Sequence, residues 1–223
     1  MMRICLRHQP GLLQTLVFLS TQFAFGGELK PISLPPPATF AGKSLMESLK
    51  ERRTFREFKP DKLSAALLGD LLWAAFGINR PSEGRRTAPS AMNSQEVDLY
   101  VALEEGLYLY EAKPHRLLPV VEQDLRGQTT GQSFSNAPVV LLFVADLSRL
   151  DKAKLETRAV YASFDSGCIC QNVYLYCASA GLATVVHDLN RDPVARAMNL
   201  RPEQKIIFAQ AVGHPLDKAT SGK

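Results

Sequence analysis

Apolar positions along the chain change their period twice, and each change marks a new kind of element. After Ser64, the residues Leu67, Leu68, Leu71, Leu72 and Ala75 recur three and four apart, Trp73 and Phe76 widen the stripe, and Gly77 ends it. This spacing predicts an amphipathic helix. Upstream, Ser44-Leu-Met-Glu47 has the form of a capping box, which opens a helix of about two turns ending at an arginine run. The period then drops to two. "VDLYVALEEGLYLYEA" alternates around Glu104-Glu105-Gly106 and predicts a hairpin, and "APVVLLFVAD" is the unbroken apolar run of a buried strand. From about Lys154 to Ala180 the pattern is helical again, with Ala162, Gly167, Ala178 and Ala180 as small surfaces for the approach of another helix, and Gly181 as its stop. "LATVVH" reads as a short strand, Asp192-Pro193 opens a further helix, and "KIIFAQAVGHP" supplies the last strand. Helices and strands in non-alternating order predict an α+β fold.

A chain of 223 residues, 46% apolar and 22% charged, has the length and composition of one domain with one substantial core. Residues 1–26 read as a secretory signal: a basic head, a short apolar run from Leu12 to Leu19, and Ala24-Phe25-Gly26 as a small-x-small cleavage site. The run is shorter than the roughly 20 residues that span a bilayer, so stable membrane insertion is not expected. Export, with a bacterial periplasm as destination, is the expectation; a misread start upstream of a cytoplasmic protein is the alternative. Residues 27–42 carry Pro31, Pro35, Pro36 and Pro37 and read as an extended linker, 43–215 as the folded domain, and 216–223 as a tail.

Without the leader the formal charge falls from +4 to +2, because Arg3 and Arg7 leave with it. That small excess is too little to support a nucleic-acid role. Cys168, Cys170 and Cys177 share one helical segment, where neighbours two apart point away from each other and neighbours seven apart are about 10 Å distant. They read as packed thiols, neither disulfides nor metal ligands.

The densest charge is "ERRTFREF", Glu51 to Phe58. Arginines here either end a helix in solvent or, with Phe55 and Phe58 burying one side of an extended segment, stand with Thr54 on the other side. In the second case Arg52 and Arg56 repel each other until an anion joins them. Guanidinium forks and a hydroxyl suit phosphate, and each pair at about 4 Å is worth roughly 4 kcal/mol before desolvation at an effective dielectric near 20. The chain has neither G-x-x-x-x-G-K-[ST] nor G-x-G-x-x-G, so the two common phosphate loops are absent.

"ERRTFREF", "LLGDLLWAAFGIN", "RRTAPSAMNSQ", "DSGCICQNVYLYCASAGLAT" and "AVGHP" stand in the order and spacing of the nitroreductase family, and the chain resembles that family from about Lys43 to Pro215. The resemblance implies an α+β fold, a homodimer joined through long central helices, and a flavin mononucleotide (FMN) site at the interface. Arg52 matches the phosphate-gripping arginine, with Arg53 beside it, and Thr54 matches its hydroxyl partner. Arg56 matches the cation near the flavin N1 edge, where a fixed positive charge favours the reduced ring. Pro89, Ser90 and Ala91 resemble the segment that the partner subunit lays along the ring, followed by Asn93 and Gln95. Val186 and His187 match the strand whose backbone N–H approaches flavin N5. His187 stands where an acidic residue is common, as either a proton donor or a rim residue. Lys218 is a candidate second phosphate cation.

The same resemblance implies hydride transfer in two half-reactions, from NAD(P)H or another reductant to a small electron-poor acceptor such as a nitro compound or quinone, with no side chain acting as covalent catalyst. Its nearest branch includes the azoline-oxidase-type dehydrogenases. A non-catalytic flavin- or ligand-binding module is the competing reading.

Overall fold

The computed structural model describes residues 28–40, 42–131, 134 and 136–216. The leader, the tail beyond residue 216 and Lys218 lie outside the described residues. A seven-stranded antiparallel sheet forms the centre, in the order β1 (Ile32–Ser33), β6 (Arg116–Val121), β5 (Leu107–Glu111), β4 (Val97–Ala102), β7 (Val139–Asp146), β9 (Gln204–Gly213) and β8 (Ala183–His187). The α+β expectation holds, and so does the hairpin: Ala102 pairs with Leu107 across the Glu104-Glu105-Gly106 turn.

Strand β7 explains its own composition. Val139, Leu141 and Phe143 join a core under helices α2 (Ala65–Phe76) and α4 (Leu155–Ala180), while Val140, Leu142 and Val144 join Val194 of α5 (Arg191–Ala197) in a second core on the opposite face. A strand covered on both faces has no polar positions to alternate with. Helix α4 packs on the first face through Ile169, Val173 and Cys177. Cys170 and Cys177 are buried free thiols packed in this core, and burial pushes Cys170 up to about 12, which favours the neutral thiol. Among the described residues no group of acids, histidines and cysteines is placed to hold a metal, and no helix is long and apolar enough to cross a membrane.

The predicted capping box forms. Ser44 accepts from the Glu47 backbone N–H while the Glu47 carboxylate accepts from the Ser44 N–H, opening α1 (Leu45–Glu51). Ser64 caps α2. Gly77 ends α2 with extended backbone instead of a left-handed turn, because a Cβ there would stand 2.7 Å from Trp73 Cα. What glycine supplies at this position is space.

The proline-rich segment differs from the expected free linker. It is extended, but Ile32 pairs with Leu117, the Leu34 N–H donates to His115 O at 3.1 Å, and the Ala38 N–H donates to Asp70 Oδ1 at 2.8 Å. Prolines removed donors only at their own positions, and Ile32, Ser33 and Leu34 between them kept theirs for the sheet edge.

Candidate functional site

The arginine run begins where α1 stops. Arg52 leaves helical geometry (φ −53°, ψ 121°) while its N–H still donates to Ser48 O. The chain then runs along the open edge of β8: the Phe55 N–H donates to Thr184 O at 3.0 Å, Phe58 bridges to Pro215, and the Lys59 N–H donates to His214 O at 2.9 Å. Phe58, only 3% exposed, seats this segment against Ala137, Ala183, Val185 and Ala211, with Phe55 packed alongside. The segment is too irregular for strict alternation, because residues three apart both turn inward. Arg52 and Thr54 are therefore half-buried, while Arg53 and Arg56 are exposed.

Thr54 and Arg52 converge on Tyr174 of α4. The Thr54 Oγ1 lies 3.1 Å from the Tyr174 hydroxyl, and the Arg52 guanidinium sits 5.3 Å over its ring. The same hydroxyl accepts the Val186 N–H of β8 at 3.1 Å. The N–H singled out in the sequence for a flavin thus already aims outward from the sheet edge, toward α4. Arg52, Arg53 and Arg56 make no ion pair with any described residue; the nearby Glu51 is engaged by Lys43. The Arg52 guanidinium, without an ion pair among the described residues, forms with the Thr54–Tyr174 hydroxyl pair and the outward Val186 N–H a donor set for an anion with polar edges, and Arg53 and Arg56 stand exposed on the same segment.

A second cluster surrounds Pro89 to Gln95. A short 3₁₀ turn, Ala91–Asn93, carries Met92 and Asn93 at positive φ, as is Gln95 just beyond it. The Ala91 N–H donates to Asp165 Oδ2 of α4 at 2.7 Å, the Ser90 hydroxyl donates to Glu96 Oε2 at 3.1 Å, and the Gln95 N–H donates to Ser90 Oγ at 2.7 Å. Glu96 and Asp165 are both buried, and neither makes an ion pair among the described residues. Burial above all, and then the neighbouring Asp165 carboxyl, push Glu96 up to about 7 against the pull of hydrogen bonds from backbone and Ser90. The folded state therefore holds a proton on this pair that the unfolded chain, near 4.5, releases. Stability from that proton is present at acid pH and lost as pH rises through about 7. We expect the thermal midpoint of the wild type to fall between about pH 5 and about pH 8 relative to Glu96→Gln, whose neutral amide keeps no such dependence. Taking the difference between the two proteins cancels His115 and His187, which burial pushes in the opposite sense.

Asp165 and Tyr174 anchor the two clusters on one helix, nine residues apart. That is about two and a half turns, so they leave α4 on opposite sides and about 13 Å apart along its axis. One chain does not bring its own Pro89-Ser90-Ala91 segment to its own Arg52-Thr54 cluster.

With this geometry in hand, comparison with known proteins is decisive. The model of the family described as "Nitroreductase family" matches residues 49–214. The chain belongs to the nitroreductase family. It is 28% identical over 152 residues to "Putative nitroreductase MJ1384" of Methanocaldococcus jannaschii, across 63% of this chain and 76% of that protein. A crystal structure from Ralstonia eutropha JMP134 with the same description shares 38% identity and superposes with a TM-score of 0.82, covering 87% of this chain and 94% of that one. A chain of the E. coli microcin synthetase McbBCD complex with truncated pro-MccB17 bound shares the fold at 19% identity and a TM-score of 0.65, covering 96% and 85%.

As a nitroreductase-family oxidoreductase, the chain has its expected site residues in three places. Arg52, Thr54 and Val186 meet at Tyr174; Pro89, Ser90, Ala91, Asn93 and Gln95 sit over the Glu96–Asp165 pair; Arg53 and Arg56 stand exposed beyond the first group. His187 is half-buried, its Nδ1 donating to Asp188 O at 3.0 Å and its ring 5.0 Å from that of Phe134. Its Nε2 is buried without a hydrogen-bond partner, and burial pushes the imidazole below its usual pKa, toward the neutral form. Tyr174, Glu96 and Asp165 were not anticipated. An acid inside the apolar run of α4 was a visible signal for Asp165; for Tyr174 there was none, since an aromatic at helical spacing reads as core.

Proposed function

We propose that this protein is an FMN-dependent oxidoreductase that works as a homodimer, taking a hydride from NAD(P)H or another reductant and delivering it to a small electron-poor acceptor of nitro or quinone type. The observation that carries this reading is the donor set at the β8 edge: Arg52, without a carboxylate partner among the described residues, joined through Tyr174 to Thr54 and the outward N–H of Val186. This set fits a phosphorylated ring system better than a simple anion, because a guanidinium and a hydroxyl stand together with a neutral backbone donor.

In this reading Arg52, Arg53 and Thr54 hold the phosphate and ribityl chain, and Arg56 supplies positive charge at the ring edge. The Val186 N–H, which here donates to the Tyr174 hydroxyl, would hold the ring when the cofactor binds. When bound, FMN supplies reversible two-electron chemistry. The protein orients the ring, sets charge around it and limits water. His187, held neutral with a free Nε2, lies at the rim with Phe134.

The dimer follows from α4. Val160 and Phe164, one turn apart, are 66% and 65% exposed, and Gly167 beyond them has open space where a Cβ would be. Ala162, named above as a small contact surface, faces its own core instead. A second copy seated on this apolar face supplies the Pro89-Ser90-Ala91 segment that one chain does not bring to its own arginines. The leader expected in residues 1–26 makes export part of the proposal.

The purified protein is expected to be yellow, to bleach anaerobically with NADH or NADPH, and to recover its colour on addition of a quinone or nitroaromatic. Colourless protein that ignores added FMN would overturn the flavin reading. Bound flavin that no reductant bleaches would favour a binding module.

A further inference from the structure

A small cavity of about 170 Å³ lies between the hairpin of β2 (Ile78–Arg80) and β3 (Arg85–Arg86) and the segment that follows it. Arg80, Arg85, Arg86, Ser90, Asn93 and Gln95 line it. Arg80 and Arg85 are register partners across the hairpin. Like charges directly opposite each other on a two-stranded ribbon are destabilising, and a ribbon this short has little else to hold it.

The third arginine is fixed in place by neutral groups. Arg86 donates from Nε to Gln95 Oε1 at 2.8 Å and from Nη1 to Phe76 O at 2.9 Å, and its guanidinium lies 4.4 Å over the Phe76 ring. None of these partners cancels its charge. Among the described residues the salt bridge made to these three arginines is that of Glu83, 2.9 Å from Arg85 Nε and about half exposed, while the Asp98 carboxylate, ion-paired with Arg149, acts on Arg86 at longer range. Arg80 donates to the carbonyl of Arg86 at 3.4 Å. Three arginines with one salt bridge among the described residues leave a small concave site with an excess of positive charge and several polar side chains at its wall. Guanidinium groups so arranged complement a planar or tetrahedral oxyanion, which would also relieve their mutual repulsion.

The size of the cavity limits what enters. At about 30 Å³ per water it holds on the order of five or six, enough for a carboxylated ring or a phosphate but not for a dinucleotide. Its floor includes Pro89 and Ser90, the segment assigned above to the flavin ring. We propose that this cavity is a subsite for the oxyanion group, carboxylate or phosphate, of a small molecule that reacts at the neighbouring flavin. The inference rests on the flavin reading for its reaction partner but not for the anion site itself.

The test uses the FMN-loaded protein and the double variant Arg80→Gln/Arg85→Gln, both exposed positions, leaving Arg86 as the anchor. Acceptors are 4-nitrobenzoate and its uncharged counterpart 4-nitrobenzyl alcohol; donors are NADPH and NADH; binding of 4-nitrobenzoate and of inorganic phosphate is measured separately by calorimetry. The expected result is that the ratio of kcat/KM for 4-nitrobenzoate over 4-nitrobenzyl alcohol falls at least about tenfold in the variant, with calorimetric affinity falling in parallel. If the NADPH over NADH ratio collapses instead, the oxyanion belongs to the donor, and the subsite stands. Unchanged ratios for both pairs, with no arginine-dependent heat of binding, overturn the proposal. Flavin absorbance separates the two readings: yellow protein with charge-blind kinetics sinks only the subsite. Colourless protein sinks the flavin assignment while calorimetry still decides the anion site.

Discussion

Arg52→Ala is expected to weaken FMN binding by roughly a hundredfold, and Arg52→Ala with Arg56→Ala to yield protein that loses its colour on desalting. A charged hydrogen bond to phosphate contributes on the order of 1.5–3 kcal/mol, and a bidentate guanidinium lies at the upper end of that range. About 2.7 kcal/mol corresponds to a hundredfold in Kd. Arg52 is the half-buried member, stacked over Tyr174, so its charge is less screened than that of the exposed Arg56. Arg56→Ala alone is therefore expected to cost less affinity and to act mainly by lowering the reduction potential of bound flavin. Fluorescence titration with FMN, together with a spectroelectrochemical titration of each variant, measures both effects. If Arg52→Ala binds FMN as tightly as the wild type, the phosphate lies elsewhere.

Phe164→Glu is expected to convert the proposed dimer to monomers and, with it, to release flavin. Burying a phenylalanine is worth about 1.5–3 kcal/mol, and in a two-fold interface each substitution acts twice. Placing a carboxylate on the same face adds a desolvation cost, so the dimer dissociation constant should rise by at least about a hundredfold. Because Asp165 and Tyr174 leave α4 on opposite sides, a monomer retains Arg52 and Thr54 but lacks the Pro89-Ser90-Ala91 segment beside them. Sedimentation velocity reads the assembly and absorbance reads the flavin. A Phe164→Glu protein that remains dimeric with full flavin content would show that α4 is not the interface.

The most legible parts of the fold were those specified by spacing. The 3-4 recurrence of leucines in α2, the alternation in β4 and β5 and the unbroken run of β7 each report how many faces of an element are covered. The capping box at Ser44 and the serine cap at Ser64 are local hydrogen-bond arrangements, so a few consecutive residues suffice to announce them. The hairpin of β2 and β3 was not legible as strands. Its strands are two and three residues long, too short to show a period, and they are rich in arginine. The proline-rich segment was misjudged for a related reason: composition describes its stiffness, whereas pairing with β6 depends on a partner strand more than eighty residues away.

The site divides along the same line. Residue chemistry by itself offered an anion site near Arg52, Thr54 and Arg56 as one of two readings, since hydroxyl and guanidinium groups bring their donors wherever the chain places them. It also determined that the cysteines of α4 are packing residues and that the chain is α+β. The tertiary structure alone decided that Thr54, Arg52 and Val186 converge on one tyrosine hydroxyl, that two buried acids share the underside of the Ser90–Ala91 turn, and that Phe55 and Phe58 face the same way. Contacts of this kind depend on where helix α4 crosses the sheet. That position is set by the summed packing of dozens of side chains, and no short stretch of sequence carries it.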